Sequence, residues 1–166
     1  MPECRSFAPI VFPNSKVLIL GSMPGHKSLK AHEYYAHPRN RFWQILSILF
    51  NETSMPIDYK DKILLLKNHH LALWDTLAYC FRDGSLDSNI KFEHPNAVLE
   101  LLKKYNNIDV IICNGGKAKA IFKKYFFYNL PPEKNVYYLH STSPANARMS
   151  LDKLLLEWQL LKKYVR

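Results

Sequence analysis

The chain has 166 residues, 48% of them hydrophobic, and a formal net charge of +9 at pH 7. This length and hydrophobic content are typical of one domain with a single core, and one domain is predicted over residues 1–166. The sequence has no apolar run long enough to cross a membrane and no signal-peptide layout at its start, which predicts a soluble protein located in the cytoplasm.

Four short apolar runs are typical of strands, and they lie at residues 16–20, 70–74, 109–113 and 135–139. His69 and His70 are expected to start the second strand. Helical periodicity separates and follows the strands, at residues 40–50, 58–68, 95–105, 117–127 and 150–165. Strands that alternate with helices predict a parallel sheet covered on both faces. The predicted fold is α/β, a three-layer α/β/α sandwich with a four-stranded parallel central sheet.

Small or polar residues follow every predicted strand. In chain order they are Gly21, Ser22, Met23, Pro24 and Gly25; Asp75; Asn114, Gly115 and Gly116; and His140, Ser141, Thr142, Ser143 and Pro144. Ligands of open α/β sheets bind beyond the carboxyl ends of the strands. We therefore expect the four exits to converge on one pocket.

The glycine-rich exit at residues 21–25 has two interpretations. Glycine lets a backbone approach a ligand closely and Pro24 stiffens the turn, but a tight strand-to-helix turn explains the same residues. No Gly-Lys-Ser/Thr follows, and the spacing does not match a dinucleotide fingerprint. Nucleoside triphosphate chemistry is therefore not expected.

The segment at residues 34–43, YYAHPRNRFW, leads into the first predicted helix. Pro38 disfavours helix at the preceding residue, and Asn40 lies where an N-cap belongs. The aromatic residues divide into two groups. Phe42 and Trp43 fit the buried face of the helix. Tyr34 and Tyr35 stay in the loop, where a tyrosine either stacks on a nucleobase, worth about 1–3 kcal/mol, or covers the core as a lid.

The hydroxyl-rich exit before the last helix can bind a phosphate at the positive end of the helix dipole. Helix entry through Ser150 is the alternative interpretation of this segment. Asn114 is either a satisfied turn residue or a base reader. Asp75 is either a catalytic carboxylate or a brace for a neighbouring loop, and bracing is favoured because no second carboxylate has a suitable spacing.

The positive charge is concentrated in the C-terminal part. Residues 1–100 hold 11 Lys+Arg against 10 Asp+Glu, a balance of +1, whereas residues 101–166 hold 12 against 4, a balance of +8. This asymmetry fits a polyanion such as nucleic acid, or an ordinary basic helix surface. Cys4, Cys80 and Cys113 lack C-x-x-C spacing and are expected as buried thiols. The histidines have no metal-ligand spacing, so neither a metal nor another cofactor is expected.

Five blocks together resemble the uracil-DNA glycosylase superfamily: GSMPG, YYAHPRNRFW, LWD with GSLDS, NGGKA, and HSTSPANA. The chain is most similar to its branch of hypoxanthine-DNA, or DNA-deoxyinosine, glycosylases. The AHPRNRFW element is also similar to the mismatch-specific uracil/thymine glycosylases. The resemblance extends from about residue 16 to the C-terminus.

The resemblance implies a role for each block. Met23 stands where relatives carry a catalytic Asn or Asp, and in the deoxyinosine branch the Asn of the HPRN element takes that role, which implies Asn40. The implied base-binding residues are Gly21, Ser22, Met23, Pro24, Gly25, Tyr35 and Asn114. The implied DNA-binding residues are His140, Ser141, Thr142, Ser143, Pro144, Asn146 and Arg148.

These features predict a monomeric DNA repair glycosylase that flips out a deaminated base. Hypoxanthine from deoxyinosine is the first choice and uracil the near alternative, because both present an N–H beside a C=O, an order that adenine and cytosine invert. A carboxamide does not titrate, so Asn40 would position water or stabilise the leaving base. Without a clearly placed catalytic lysine, the enzyme is expected to be monofunctional and to leave an abasic site. A non-catalytic nucleic-acid-binding protein of the same fold and a hydrolase of free nucleosides are the rival hypotheses.

Overall fold

The structure is a computed structural model that describes residues 1–165. Its strands are β1 (Glu3–Arg5), β2 (Val17–Gly21), β3 (Leu71–Asp75), β4 (Leu77–Phe81), β5 (Lys91–Pro95), β6 (Val110–Asn114) and β7 (Asn135–Leu139). Its helices are α1 (His26–Ala31), α2 (Phe42–Leu49), α3 (Tyr59–Asn68), α4 (Val98–Lys104), α5 (Gly116–Tyr125), α6 (Leu151–Trp158) and α7 (Leu161–Tyr164). Short 3₁₀ turns lie at Asp87–Asn89 and Phe127–Asn129.

The main sheet is parallel throughout and has the strand order β3-β2-β6-β7. All four predicted strands are therefore confirmed, and three of them begin and end one residue later than predicted. His69 follows the last residue of α3, and His70 has a left-handed φ of 58°, so the expectation that they start the strand is wrong. The left-handed residue ends the helix and turns the chain into β3.

Alternating side chains of each strand pack into two apolar cores on opposite faces of the sheet. Val17 and Ile19 of β2 pack with residues of α2, α3, α6 and α7, whereas Leu18 and Leu20 pack with residues of α4 and α5. These four side chains are fully buried, each worth about 1.5–3 kcal/mol. Burial on both faces explains why the strands are continuous apolar runs. The predicted three-layer fold is thereby confirmed.

Three helix predictions need correction. The helix predicted at residues 95–105 begins only at Val98, because Lys91–Pro95 forms β5. Helix α2 begins at Phe42 with Arg41 as its N-cap, so the predicted N-cap position of Asn40 is wrong by one residue. The predicted helix at 150–165 is two helices, because the backbone tightens between α6 and α7 into bonds that span three residues. The side chain of Ser150 accepts a hydrogen bond from the Lys153 N–H at 3.2 Å, which confirms its role in helix entry.

A second sheet was not predicted. It is antiparallel, with the strand order β1-β4-β5, and its pairing of β4 with β5 is irregular. Helix α1, directly after residues 21–25, was also not predicted. The three cysteines are buried free thiols, as expected. No helix within residues 1–165 is long and apolar enough to cross a membrane.

Candidate active site

All four exits of the main sheet open into one pocket of about 780 Å³, as predicted. Its lining includes Gly21, Ser22, Met23, Pro24, Gly25, Tyr35, Asn40, Asp75, Asn114, His140, Ser141, Thr142, Ser143, Pro144 and Asn146. Arg148 lies on the same loop but outside this lining, with an exposed side chain. The lining also includes Lys119 of α5, which was not predicted as a site residue.

Strand register explains why these residues meet. Gly21 pairs with Asp75, and Asn114 lies one residue beyond the Leu20–Cys113 pair, so the three form one row across β3, β2 and β6. Side chains of a strand alternate between faces, and this row continues the face that carries Val17 and Ile19. Asp75 and Asn114 therefore flank the position of Gly21 on the face covered by α2.

The exits of β6 and β7 approach each other closely at Gly115. This residue has a φ of 103°, and a Cβ placed there would lie 3.0 Å from the Cβ of Ser141. Only glycine combines this backbone conformation with this clearance.

The carboxamide of Asn40 has a fixed orientation. Its Oδ1 accepts hydrogen bonds from the backbone N–H of Phe42 at 3.0 Å and from the hydroxyl of Thr142 at 2.9 Å. The backbone N–H can only donate, so the oxygen must face it and the Nδ2 group must lie on the other side. Within residues 1–165 no hydrogen bond is made by that Nδ2 group. The available group of Asn40 is therefore a donor, which favours stabilisation of the leaving base over positioning of water by the carbonyl.

A chain of hydrogen bonds joins Asn40 to the other predicted site residues. Thr142 Oγ1 accepts from Asn114 Nδ2 at 3.1 Å, and the Thr142 N–H donates to Asn114 Oδ1 at 3.0 Å. Asn114 Nδ2 also donates to the hydroxyl of Tyr35 at 3.3 Å. Both hydrogens of this amide are thus used within the protein, and one lone pair of Oδ1 is left for a ligand. Thr142 connects the exits of β6 and β7 to the loop before α2, although nothing in the sequence distinguished it from its neighbouring hydroxyls.

The two adjacent tyrosines have different environments. Tyr34 is 3% exposed, and its backbone carbonyl accepts from the indole N–H of Trp43, so this tyrosine is the one that covers the core. Tyr35 lines the pocket with a left-handed φ of 54°, and its ring stacks on Phe42 at 4.1 Å between centroids. Burial and the nearby Asp75 raise the pKa of Tyr35 well above its usual value, so the hydroxyl stays protonated.

The side chain of Asp75 does not brace a loop, and that interpretation is wrong. The residue is 4% exposed, its Oδ2 is buried without a hydrogen-bond partner, and the hydrogen bond from Asn96 goes to its backbone carbonyl and not to its side chain. Burial is the largest of the effects that raise the pKa of Asp75 to about 8; Asp87 adds to it and Arg82 partly offsets it. The loop that follows β2 is instead braced by Arg82, which donates to the carbonyl of Pro24 at 2.6 Å.

Residues 21–25 form the entry to α1, and two of their side chains are already engaged. The hydroxyl of Ser22 donates to Asp87 at 2.6 Å, and Met23 packs in a small apolar cluster with Leu77 and Ile121. Gly21 has no positive φ, but a Cβ there would lie 2.7 Å from Asp75 Oδ1. A larger residue at position 21 would therefore displace the carboxyl of Asp75.

The loop after β7 is held by Arg41, a residue that the sequence did not single out. Its guanidinium donates to the carbonyls of Ser143 and Asn146 at 3.0 and 3.1 Å, and also to that of Met149. Backbone carbonyls leave no signature in a sequence, so this role could not be read from it. At the start of the loop, Glu157 accepts hydrogen bonds from the backbone and ring nitrogens of His140.

No group of three or more His, Cys, Asp or Glu that could hold a metal is present among residues 1–165. The pocket is lined by amides and hydroxyls, together with the carboxyls of Asp75 and Asp87, three histidines and two lysines. Such groups suit the recognition and stabilisation of a polar heterocycle.

Comparisons with known proteins agree on one family. A family model described as the uracil DNA glycosylase superfamily matches residues 9–163. The chain is similar to a hypoxanthine DNA glycosylase of Methanosarcina barkeri, with 35% identity over 114 residues, 69% of this chain and 72% of the relative. It is also similar to a hypoxanthine DNA glycosylase of Methanosarcina acetivorans, with 31% identity over 160 residues, 96% of this chain and 98% of the relative. A solution NMR structure of a candidate uracil DNA glycosylase from Methanosarcina acetivorans superposes with a TM-score of 0.82 at 29% identity, and the match covers 97% of this chain and 99% of that one.

Proposed function

The chain belongs to the uracil DNA glycosylase superfamily, and we propose that it is a DNA repair glycosylase that excises hypoxanthine from deoxyinosine by hydrolysis. The relatives named hypoxanthine DNA glycosylase support this choice of base. The observation that carries the proposal is the hydrogen-bonded chain from Asn40 through Thr142 and Asn114 to Tyr35, all within one pocket. Groups held in this way keep their orientation while charge develops on a ligand.

Excision begins with extrusion of the nucleotide, which costs a few kcal/mol and less for a mispaired base. A pocket of about 780 Å³ has room for a purine with its sugar. As the glycosidic bond breaks, negative charge moves to the base. The free Nδ2 group of Asn40 then donates to the departing base, because its oxygen already accepts two hydrogen bonds.

Base selection would use the fixed amide of Asn114. Its Oδ1 remains an acceptor, so it can receive the N1–H of hypoxanthine, whereas adenine presents a lone pair at N1. An unpaired buried polar group costs about 1–3 kcal/mol, which disfavours the parent base. The ring of Tyr35, already stacked on Phe42, offers a flat surface for the flipped base.

The hydroxyl-rich loop at residues 140–148 would bind phosphates through its backbone amides and through Arg148. We further propose that the protein acts as a monomer. Lys119 reaches the pocket lining but lies over the ring of Tyr138, so we propose water rather than an amine as the nucleophile. The product is then an abasic site, and borohydride should trap no covalent complex.

The test uses duplexes that contain a single deoxyinosine, deoxyuridine or deoxyadenosine, followed by alkali cleavage, and free deoxyinosine as a separate substrate. We expect strand breakage at deoxyinosine with the wild-type protein and at least about a 100-fold slower reaction with Asn40→Ala, because one preorganised donor contributes that much. Asn135→Ala is the matched control, since it removes an exposed carboxamide at the amino end of β7.

Each other outcome would support a rival hypothesis. Breakage at deoxyuridine alone would assign the protein to uracil, and retention of the duplex without breakage would make it a non-catalytic binder. Release from the free nucleoside alone would make it a nucleoside hydrolase. Full activity of Asn40→Ala would remove Asn40 from the mechanism.

A further inference from the structure

Asp75 is a buried carboxyl group without a partner at the end of β3. It lines the pocket, it is 4% exposed, and within residues 1–165 its side chain forms neither a hydrogen bond nor an ion pair. A buried polar group that lacks a partner destabilises a fold, so its presence in a ligand pocket calls for a ligand that satisfies it.

The carboxyl of Asp75 extends over Gly21, into the space that a side chain at position 21 would occupy. Gly21 contributes no side chain to the row across β3, β2 and β6, and a Cβ there would be 2.7 Å from Asp75 Oδ1 and 3.4 Å from the hydroxyl of Tyr35. Asn114 flanks Gly21 from β6 with its remaining acceptor. A base edge that approaches this row from the pocket would therefore meet Asn114 on one side and Asp75 on the other.

The charged and titratable groups around Asp75 leave it in its acid form at neutral pH. Asp87 faces it from the turn before β5, Arg82 from the end of β4, and Tyr34 and Tyr35 from the loop before α2. Burial is the largest effect, and together with Asp87 it outweighs Arg82, which raises the pKa of Asp75 to about 8. Tyr34 and Tyr35 remain neutral because burial and Asp75 raise the pKa of each phenol.

We propose that Asp75, as a neutral carboxylic acid, donates a hydrogen bond to the ring carbonyl oxygen of the departing base, O6 in hypoxanthine. This inference rests on the proposed function. It adds a hydrogen-bond donor, Asp75, beside the acceptor that Asn114 supplies. An acceptor beside a donor complements the N1–H and O6 of hypoxanthine, and equally the N3–H and O4 of uracil. Adenine presents the opposite order and leaves both groups unsatisfied.

The donor also assists bond breaking. When the C1′–N9 bond breaks, both of its electrons leave on the base and negative charge spreads onto O6, where the hydrogen bond from Asp75 strengthens. Water forms the new C1′–O bond, and the proton that it loses balances the proton that the base gains. An ionised Asp75 would repel the same oxygen, so excision should slow as the carboxyl loses its proton.

The test measures single-turnover excision of hypoxanthine between pH 5 and 10 for the wild type and two variants. We expect the wild-type rate to fall above about pH 8. Asp75→Asn keeps a donor that cannot titrate, so its profile should lack this alkaline fall, with a rate at pH 7 within about tenfold of the wild type. Asp75→Leu should be at least about 100-fold slower at every pH. Asp109→Asn, at the other end of the sheet, is the matched control and should keep the wild-type profile.

Thermal unfolding and affinity for the deoxyinosine duplex show whether each variant is folded. If Asp75→Leu does not fold, the profile of Asp75→Asn alone decides. The inference is wrong if Asp75→Asn keeps the alkaline fall of the wild type, or if a folded Asp75→Leu excises the base within threefold of the wild-type rate. A wild-type protein that never releases hypoxanthine would instead refute the proposed function, so the two failures are distinguishable.

Discussion

Single residues of the pocket differ in whether their buried polar groups have hydrogen-bond partners. Asp75 is the clearest case, because its buried carboxyl has no partner, whereas every heteroatom of the Asn114 amide is hydrogen-bonded. An unfolded chain would hydrate and ionise that carboxyl near its ordinary pKa of 3.8, whereas burial raises the pKa in the folded protein to about 8. The folded state therefore binds one more proton than the unfolded state between these two values.

This difference predicts how stability changes with pH. By linkage, the contribution of Asp75 to the free energy of unfolding falls as pH rises from about 4 to about 8, and each pKa unit corresponds to about 1.4 kcal/mol. Asp75→Asn removes this loss, so its melting temperature should exceed that of the wild type by a margin that grows from pH 4.5 to pH 8. Thermal unfolding at the two pH values measures the margin, with Asp109→Asn, whose side chain is 68% exposed, as control. A constant margin would mean that Asp75 does not titrate in this range.

At the scale of secondary-structure elements, the sequence was sufficient to predict the main sheet but not the small second sheet. The runs of β2, β3, β6 and β7 are apolar because both faces are covered, and that pattern is visible without coordinates. β1 has three residues, and β5 ends in a proline and pairs irregularly, so neither carries a regular alternation. The small sheet depends on contacts between distant segments, which a local pattern cannot reveal.

For the pocket, the sequence predicted which residues meet but not which groups they bond to. Strand exits predicted which residues would meet, because the carboxyl ends of parallel strands share an edge. Partner choice was not predictable: Asn40 binds Thr142 across 102 positions of sequence, and Arg41 binds carbonyls up to 108 positions away. Side chains that bond to a distant backbone leave no trace in the spacing of residues.

The conformation of the loop between β7 and α6 depends on Arg41, the N-cap residue of α2. Arg41 bonds to several carbonyls between Thr142 and Met149, so its removal should loosen this loop without unfolding the sheet. We expect Arg41→Lys to weaken binding of a deoxyinosine duplex by about tenfold, since a single ammonium cannot replace the planar fork. Amide hydrogen exchange at residues 142–149 should become faster in the same variant. Arg39→Lys, two residues earlier and exposed, should leave that exchange unchanged, and equal protection in both variants would argue against the clamp.

For the whole molecule, the fold divides the positive charge of residues 101–166 between the carboxyl edge and the amino edge of the main sheet. Helices that follow a strand begin at the carboxyl edge, so Lys117 and Lys119 of α5 and Lys153 of α6 start near the pocket, as does Arg148. Lys103 and Lys104 end α4 just before β6, at the opposite edge. Lys134 is bonded there to the carbonyl of Ile108 at 2.6 Å. The balance of +8 therefore overstates the charge that can face DNA.

This division predicts which substitutions alter the salt dependence of DNA binding. Each phosphate contact contributes a slope of about −0.9 to the dependence of log K on log salt concentration. Arg148→Ala and Lys119→Ala should each make the slope shallower by about one contact, because both side chains lie at the pocket end of the sheet. Lys67→Ala removes an exposed charge near the C-terminus of α3, at the amino edge, and should leave the slope unchanged. Affinity for an abasic-site duplex, measured by fluorescence anisotropy between 50 and 200 mM salt, separates the two groups. Equal slopes for all three variants would mean that the basic surface acts as a diffuse field and that DNA does not contact the pocket end.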